Sequence, residues 1–360
     1  MKAVVAHAVD KFSVVNVDLD PPKPGEVLVR MRATGVCHSD LSIINGTIRW
    51  PLPSVLGHEG AGIVEQVGEG VSNVKAGDHV VLSFVPNCGH CYFCDRAEPH
   101  LCQQNKAHGG LLDGTSRVRM NGQEIAVMSF LGNMAEYCVV PAVCVVAIDK
   151  SHDLKAAALV GCGVTTGVGA AIKTAGVRPG STVAVFGCGG VGLNVIQGAR
   201  IAGAARIIAV DLSVERMEMA RAFGATDGVD PAREAFKQIL EMTGGIGVDY
   251  AFEVVGNGKL VEACFKATRS GGMTVLVGVG RSDDRFSINA LVMPFTAKTL
   301  RGCMYGSANF KVDFPMYLDL YRQGKLDLNR LVTRTYSIEE APQAFADLQS
   351  GANARGVIVY

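Results

Sequence analysis

Six residues, Gly187-Cys188-Gly189-Gly190-Val191-Gly192, constrain this 360-residue chain more than any others. They place glycines in the pattern G-x-G-x-x-G, and their flanks give that pattern a structural context. The β-branched run Thr182 to Phe186 reads as a strand, and the Ala-rich stretch Val191 to Ala202 reads as a helix. A strand that turns into a helix over such glycines opens a βαβ unit. Gly187 permits the tight turn, Gly189 lets the backbone approach a pyrophosphate, and Gly192 lets helix and strand pack closely. The free N–H groups at the helix start then face the phosphates. Asp211 follows Gly192 by 19 residues, at the end of the next predicted strand, Arg206 to Asp211. A carboxylate there takes the adenosine ribose hydroxyls and repels a 2′-phosphate, which favours NAD over NADP. The plainer alternative is a glycine-rich turn with a helix-capping Asp.

The same texture continues from about Val164. Val214 to Phe223 reads as a helix stopped by Gly224. Asp249 to Val255 and Met273 to Val279 read as strands, with the helix Leu260 to Thr268 between them. Strands alternating with helices imply an α/β doubly wound parallel sheet covered on both faces. Before Ile148 the texture differs. Glu26 to Arg32 alternates, with Val27, Val29 and Met31 pointing inward, as in a half-buried strand. Gly60 to Val67 and His79 to Phe84 are further strands joined by a turn at Gly77-Asp78. Two textures imply two domains, one β-rich and one α/β, as the length allows. A tail follows, with predicted helices Pro315 to Gln323 and Ile338 to Leu348 and a closing strand Gly356 to Tyr360. Pattern alone does not assign it to either domain.

Charge and composition exclude several classes. The chain carries 34 basic and 34 acidic residues, against the basic excess of a nucleic-acid binder. Hydrophobic residues make up 48%, enough to offset the ordering entropy that keeps polar chains disordered. The longest near-continuous apolar stretch, Cys138 to Ile148, is too short to span a membrane and is interrupted by Pro141. The first ten residues lack the features of a signal peptide. A soluble, cytoplasmic protein without nucleic-acid or membrane partners is expected. The 11 cysteines form an odd set, which argues against a disulfide framework in a reducing compartment.

Four of those cysteines, Cys88, Cys91, Cys94 and Cys102, lie within 15 residues as C-x2-C-x2-C-x7-C. Four thiolates so spaced can close a tetrahedral shell around zinc. A closed shell leaves no open position, so the site reads as structural. An iron–sulfur cluster is the competing metal reading. Cys37, His58 and Cys162 offer two Cys and one His, a ligand set that leaves a fourth position open on a catalytic zinc. Taken singly, each also reads as a buried core residue, and spacing does not show that they meet.

Five stretches carry a resemblance: GVCHSD at 35–40, GHEGAG at 57–62, the four-Cys lobe at 88–102, GCGVTTG at 161–167 and GCGGVG at 187–192. In that order they resemble the medium-chain, zinc-dependent alcohol dehydrogenases. The resemblance implies a GroES-like catalytic domain, residues 1–163 and 304–360, and a Rossmann cofactor domain, residues 164–303. It implies that Cys37, His58 and Cys162 hold catalytic zinc and that Glu59 is a carboxylate able to approach it. Asp40 would orient His58, and Ser39 would hydrogen-bond the substrate alcohol. His38 and Arg355 would contact the cofactor pyrophosphate, Thr166 and Val279 the nicotinamide side, and Arg216 the adenosine ribose. Many relatives carry a His three positions after the relay hydroxyl; here Ser42 stands in that place, which alters the outer end of the proton path.

The implied reaction is reversible oxidation of an alcohol to an aldehyde or ketone, with NAD and two zinc ions per chain, one catalytic and one structural. Trp50, Phe84, Phe130 and Met304 would line an aromatic, apolar pocket suited to primary alcohols with a bulky group; core packing is the alternative for each. A homodimer is the expected assembly, with a tetramer as the alternative. A second enzyme reading is a dehydrogenase of formaldehyde as a glutathione or mycothiol adduct, with Arg117 or Arg119 on the adduct's carboxylate or simply solvated. A third is a non-catalytic NAD-binding or structural relative.

Overall fold

The structure is a computed structural model that describes residues 1–106, 108–230, 233–351 and 353–360. The chain forms two compact units. One comprises Met1–Cys162, Asn309–Gly324 and Leu328–Tyr360; the other comprises Gly163–Ala308 and Lys325–Asp327.

The first unit is built on the strand Glu26–Val36. It pairs antiparallel with Gly60–Val67 and Tyr137–Pro141, and with the C-terminal strand Arg355–Val359. Val27, Val29 and Met31 are fully buried, as their alternation predicts. Each such side chain stabilises the fold by about 1.5–3 kcal/mol of transfer free energy. The strand runs four residues past its predicted end because Ala33 to Val36 are all buried. A segment covered on both faces shows no alternation to read. Glu26, which alternation would expose, is buried as well. A smaller sheet joins Lys2–Ala8 to Lys11–Asn16, Ser54–Val55 and Ala126–Val127.

The second unit holds a six-stranded parallel sheet. Its order is Asp227–Val229, Arg206–Val210, Thr182–Phe186, Val248–Glu253, Thr268–Leu276, Thr299–Gly302. The chain builds outward from Thr182–Phe186 to one side and then to the other, the doubly wound Rossmann order. Val183 to Phe186 are all buried. The strand Thr268–Leu276 starts earlier than predicted, because Ser270-Gly271-Gly272 reads as a turn in sequence. The helix Ala235–Met242 lies outside the expected elements.

In the tail, the helix Phe310–Arg322 begins five residues before the predicted Pro315 and carries that proline inside it. Pro315 forgoes only the bond to the carbonyl four residues back. The helix start is held instead by Asp313, whose carboxylate accepts the Asn309 N–H at 2.7 Å. No single helix among the described residues is long and apolar enough to cross a membrane.

Candidate active site

Cys37 follows the central strand directly and caps the helix His38–Ile44. Asp40, in that helix's first turn and fully buried, reaches back to the Cys37 N–H at 3.2 Å. Its other oxygen accepts the Gly57 N–H at 2.9 Å and lies 3.4 Å from His58 Nδ1. One carboxylate thus fixes both Cys37 and His58. Gly57 is obligatory: its φ is +99°, and a Cβ there would lie 2.3 Å from the Met134 backbone nitrogen. Cys162 follows the short 3-10 turn Leu159–Gly161.

The ligand atoms of Cys37, His58 and Cys162 all lie within 4.8 Å of one another, and all three residues are buried. His58 Nδ1 faces Asp40, and Nε2 has no hydrogen-bond partner among the described residues. Contact with Cys162, and then the charge of His58, hold the Cys37 thiol well below its usual range despite burial. Burial opposes charge on the His58 ring, but Asp40 and Cys37 outweigh it and raise its pKa to about 10. A thiol held low beside a buried carboxylate is a setting compatible with a bound cation. Two thiols, one imidazole with an orphaned buried nitrogen and an orienting carboxylate fit zinc with an open position.

The remaining predicted residues divide around this group. Ser39 Oγ lies 3.9 Å from Cys37 Sγ, and His38 opens the same helix on its exposed side. Glu59 is fully buried but is not one of the clustered ligands; it forms an ion pair with the buried Arg355. Phe84 meets the His58 ring edge-on, with centroids 5.6 Å apart. Trp50 packs against the core around Leu56, Met134 and Ile44. Phe130 is fully buried at a left-handed φ of +65°. Met304 lies in the second unit.

Arg117 is neither solvated nor available to a ligand. It is 3% exposed, and its guanidinium is bound by Glu26 and Asp113. Arg119 pairs with Asp20. Arg117 is thus not placed to meet an adduct's carboxylate, while the Arg119 side chain stays 43% exposed. The signal for this ion-pair triad was absent from local sequence, since Glu26 and Arg117 stand 91 residues apart.

The four-Cys lobe closes as its spacing implies. All four sulfurs lie within 4.8 Å of one another. Tight 3-10 turns at Cys94–Arg96 and Pro99–Leu101 fold the chain back on itself. The Gln103 N–H brings the Cys91 thiol down to about 6, while burial pushes Cys94 up to about 12. Four thiolates cannot share this space without a cation, and four sulfurs with no open position fit structural zinc.

In the second unit, Gly187 has φ +97°, and a Cβ on Gly192 would lie 1.8 Å from the Gly187 carbonyl oxygen. Asp211 lies just past its strand and accepts the Cys188 N–H at 2.7 Å and the Ser213 N–H at 3.0 Å. Ser213, not Asp211, caps the helix Val214–Phe223. Arg216 stands 3.9 Å from the Asp211 carboxylate. Thr166 is half-buried in the helix Gly163–Gly169, and Val279 is 69% exposed beyond the end of its strand.

Residues 23–150 match the family model of the alcohol dehydrogenase GroES-like domain. Residues 190–323 match that of the zinc-binding dehydrogenase. The chain is 40% identical over 365 residues to the NDMA-dependent alcohol dehydrogenase of Amycolatopsis methanolica, covering 100% of this chain and 98% of that one. Among solved structures it resembles an alcohol dehydrogenase zinc-binding domain protein from Burkholderia ambifaria, at TM-score 0.95 and 35% identity, covering 99% and 98% of the two chains. It also resembles the benzyl alcohol dehydrogenase of Acinetobacter calcoaceticus, at TM-score 0.94 and 30% identity, with the same coverage. Fold, donor sets and relatives agree: this chain belongs to the medium-chain, zinc-dependent alcohol dehydrogenases.

Proposed function

We propose that the protein oxidises a primary alcohol bearing a bulky or aromatic group to the aldehyde, reversibly, with NAD as hydride acceptor. The observation that carries this reading is the buried Cys37, His58 and Cys162 group with its orphaned His58 Nε2. Those three residues would hold zinc, whose charge when bound lowers the pKa of the alcohol hydroxyl. Asp40 fixes the His58 ring so that Nε2 faces away from it. Ser39 Oγ takes the hydroxyl proton, a role consistent with its place beside Cys37. Phe84 supplies an apolar wall against His58, which favours an aromatic substituent and excludes water. The buried ion pair with Arg355 holds the Glu59 carboxylate in place. In the second unit, Asp211 and the N–H groups after Gly187 would take the adenosine ribose and pyrophosphate. NAD, when bound, supplies the ring that accepts the hydride. The solved benzyl alcohol dehydrogenase relative supports the substrate class, and the carboxylate of Asp211 supports NAD over NADP.

The test is an alcohol panel on the purified protein with NAD and NADP, and with NDMA as an alternative acceptor. A higher kcat/KM for benzyl alcohol than for ethanol is expected, with NAD preferred. Preference for ethanol would sink the pocket assignment, and preference for NADP would sink the role given to Asp211.

A further inference from the structure

Glu253 ends the strand Val248–Glu253 and is 1% exposed. One oxygen of its carboxylate accepts three backbone N–H groups in succession: Val255 at 2.9 Å, Gly256 at 2.8 Å and Asn257 at 3.3 Å. Burial opposes its ionisation, which those three donors favour. A buried carboxylate is retained at a cost, and here that cost is offset by wrapping one turn of chain around it.

The turn so held is wedged between two loops at the carboxyl end of the sheet. On one side is the glycine loop: a Cβ on Gly187 would lie 2.6 Å from Val255 Cγ2. On the other side is the segment Val277 to Gly280. A Cβ on Gly256 would lie 2.5 Å from the Val279 carbonyl, and one on Gly278 would lie 2.1 Å from the Gly256 nitrogen. The backbone of Glu253 binds that segment too, since its carbonyl accepts the Val277 and Gly278 N–H groups at 2.8 and 3.0 Å. Val255 and Val279 are 54% and 69% exposed, two apolar side chains held open on adjoining loops. Ligands of open α/β sheets bind at this edge.

We propose that Glu253 is a positioning residue for the dinucleotide, setting the Val255–Gly256 turn and, through it, the spacing between the glycine loop and the Val279 segment. The inference rests on the NAD reading above. Its reach is local: Asp211 and the adenosine side lie across Thr182–Phe186 and keep their own hydrogen bonds. Glu253 therefore acts on the pyrophosphate and nicotinamide half and leaves the adenosine half unchanged.

The experiment measures NADH and AMP binding to the full-length protein by fluorescence and calorimetric titration, for the wild type and two variants. Glu253→Asp keeps the charge but withdraws it by one methylene from its three donors. NADH affinity is expected to fall about tenfold, the size of one lost hydrogen bond to a charged group, with AMP within about twofold. Glu253→Gln keeps an acceptor at the same reach, and NADH binding within about threefold of the wild type is expected. Wild-type NADH affinity in Glu253→Asp would overturn the proposal. Equal loss of AMP and NADH in that variant would also overturn it, by showing a general loosening of the unit. A wild type that binds AMP and NADH equally poorly would overturn the NAD reading, and this proposal with it.

Discussion

Asp40 has a larger part in the proposed catalytic centre than its single negative charge suggests. It bonds the Cys37 and Gly57 N–H groups and faces His58 Nδ1, so removing it frees the backbone on both sides of the donor set. Asp40→Ala is expected to weaken zinc at this centre by about 10–100-fold while leaving the four-Cys zinc in place. Metal per chain after dialysis against a mild chelator reads this directly, and retention of both ions would refute it. At this scale the sequence was legible where a motif kept chemistry local, as in the C-x2-C-x2-C-x7-C lobe. It was not legible at Arg117, because its partner Glu26 arrives from a distant strand. Asp113 completes that triad. Burial raises its pKa, but the Thr115 N–H and the Arg117 guanidinium outweigh this and hold its carboxyl well below the usual range. A depressed pKa stabilises the fold above the unfolded value of about 3.9 and loses that contribution as pH falls below it. Asp113→Asn should therefore cost about 1 kcal/mol at pH 7, discounted for its partial exposure, and progressively less below pH ~4. Urea denaturation at the two pH values measures the difference, and a gap independent of pH would contradict it.

At the scale of elements, periodicity located the strands and helices whose faces differ and lost those whose faces are alike. Val27, Val29 and Met31 announced their strand, while Ala33 to Val36 did not, because both of their faces are covered. Pro315 was read as a helix start and is an interior residue, since the helix is opened by Asp313 reaching back to Asn309. The four-Cys lobe is an element with little apolar core of its own: Cys88, Cys91 and Cys94 are only half-buried. Its order in solution is expected to depend on a bound ion. Cys94→Ser is expected to reduce zinc by one equivalent per chain and to open residues 88–106 to protease, as structural zinc contributes folding energy outright. Mass spectrometry of limited digests would show the cut sites. Cleavage elsewhere first would show that the lobe holds itself.

At the scale of the whole molecule, the glycine motif and the alternation after it were enough to give the Rossmann sheet, because each βαβ step is local. The first unit was not open to the same treatment. Its central strand pairs with the last strand of the chain, Val36 against Gly356. No local pattern reveals a pairing of that separation, so the tail could be placed only by resemblance. Removing residues 355–360 should expose one edge of Glu26–Val36 and delete Arg355 from beside Glu59. Loss of catalytic zinc and a broadened unfolding transition are expected, measured by metal analysis and circular dichroism. Unchanged zinc content would argue against this closure.

That last pairing also sets a timetable for biogenesis. The four-Cys lobe is complete once residue 102 has left the ribosome, and it can take its ion while synthesis continues. Cys37, His58 and Cys162 have all been made by residue 162, yet the strand that leads into Cys37 gains Arg355–Val359 as a neighbour only once that strand has been made. If both sites bind zinc, the four-Cys site is expected to fill first and the Cys37, His58 and Cys162 site after it. A nascent chain arrested before residue 355 should carry the first and lack the second.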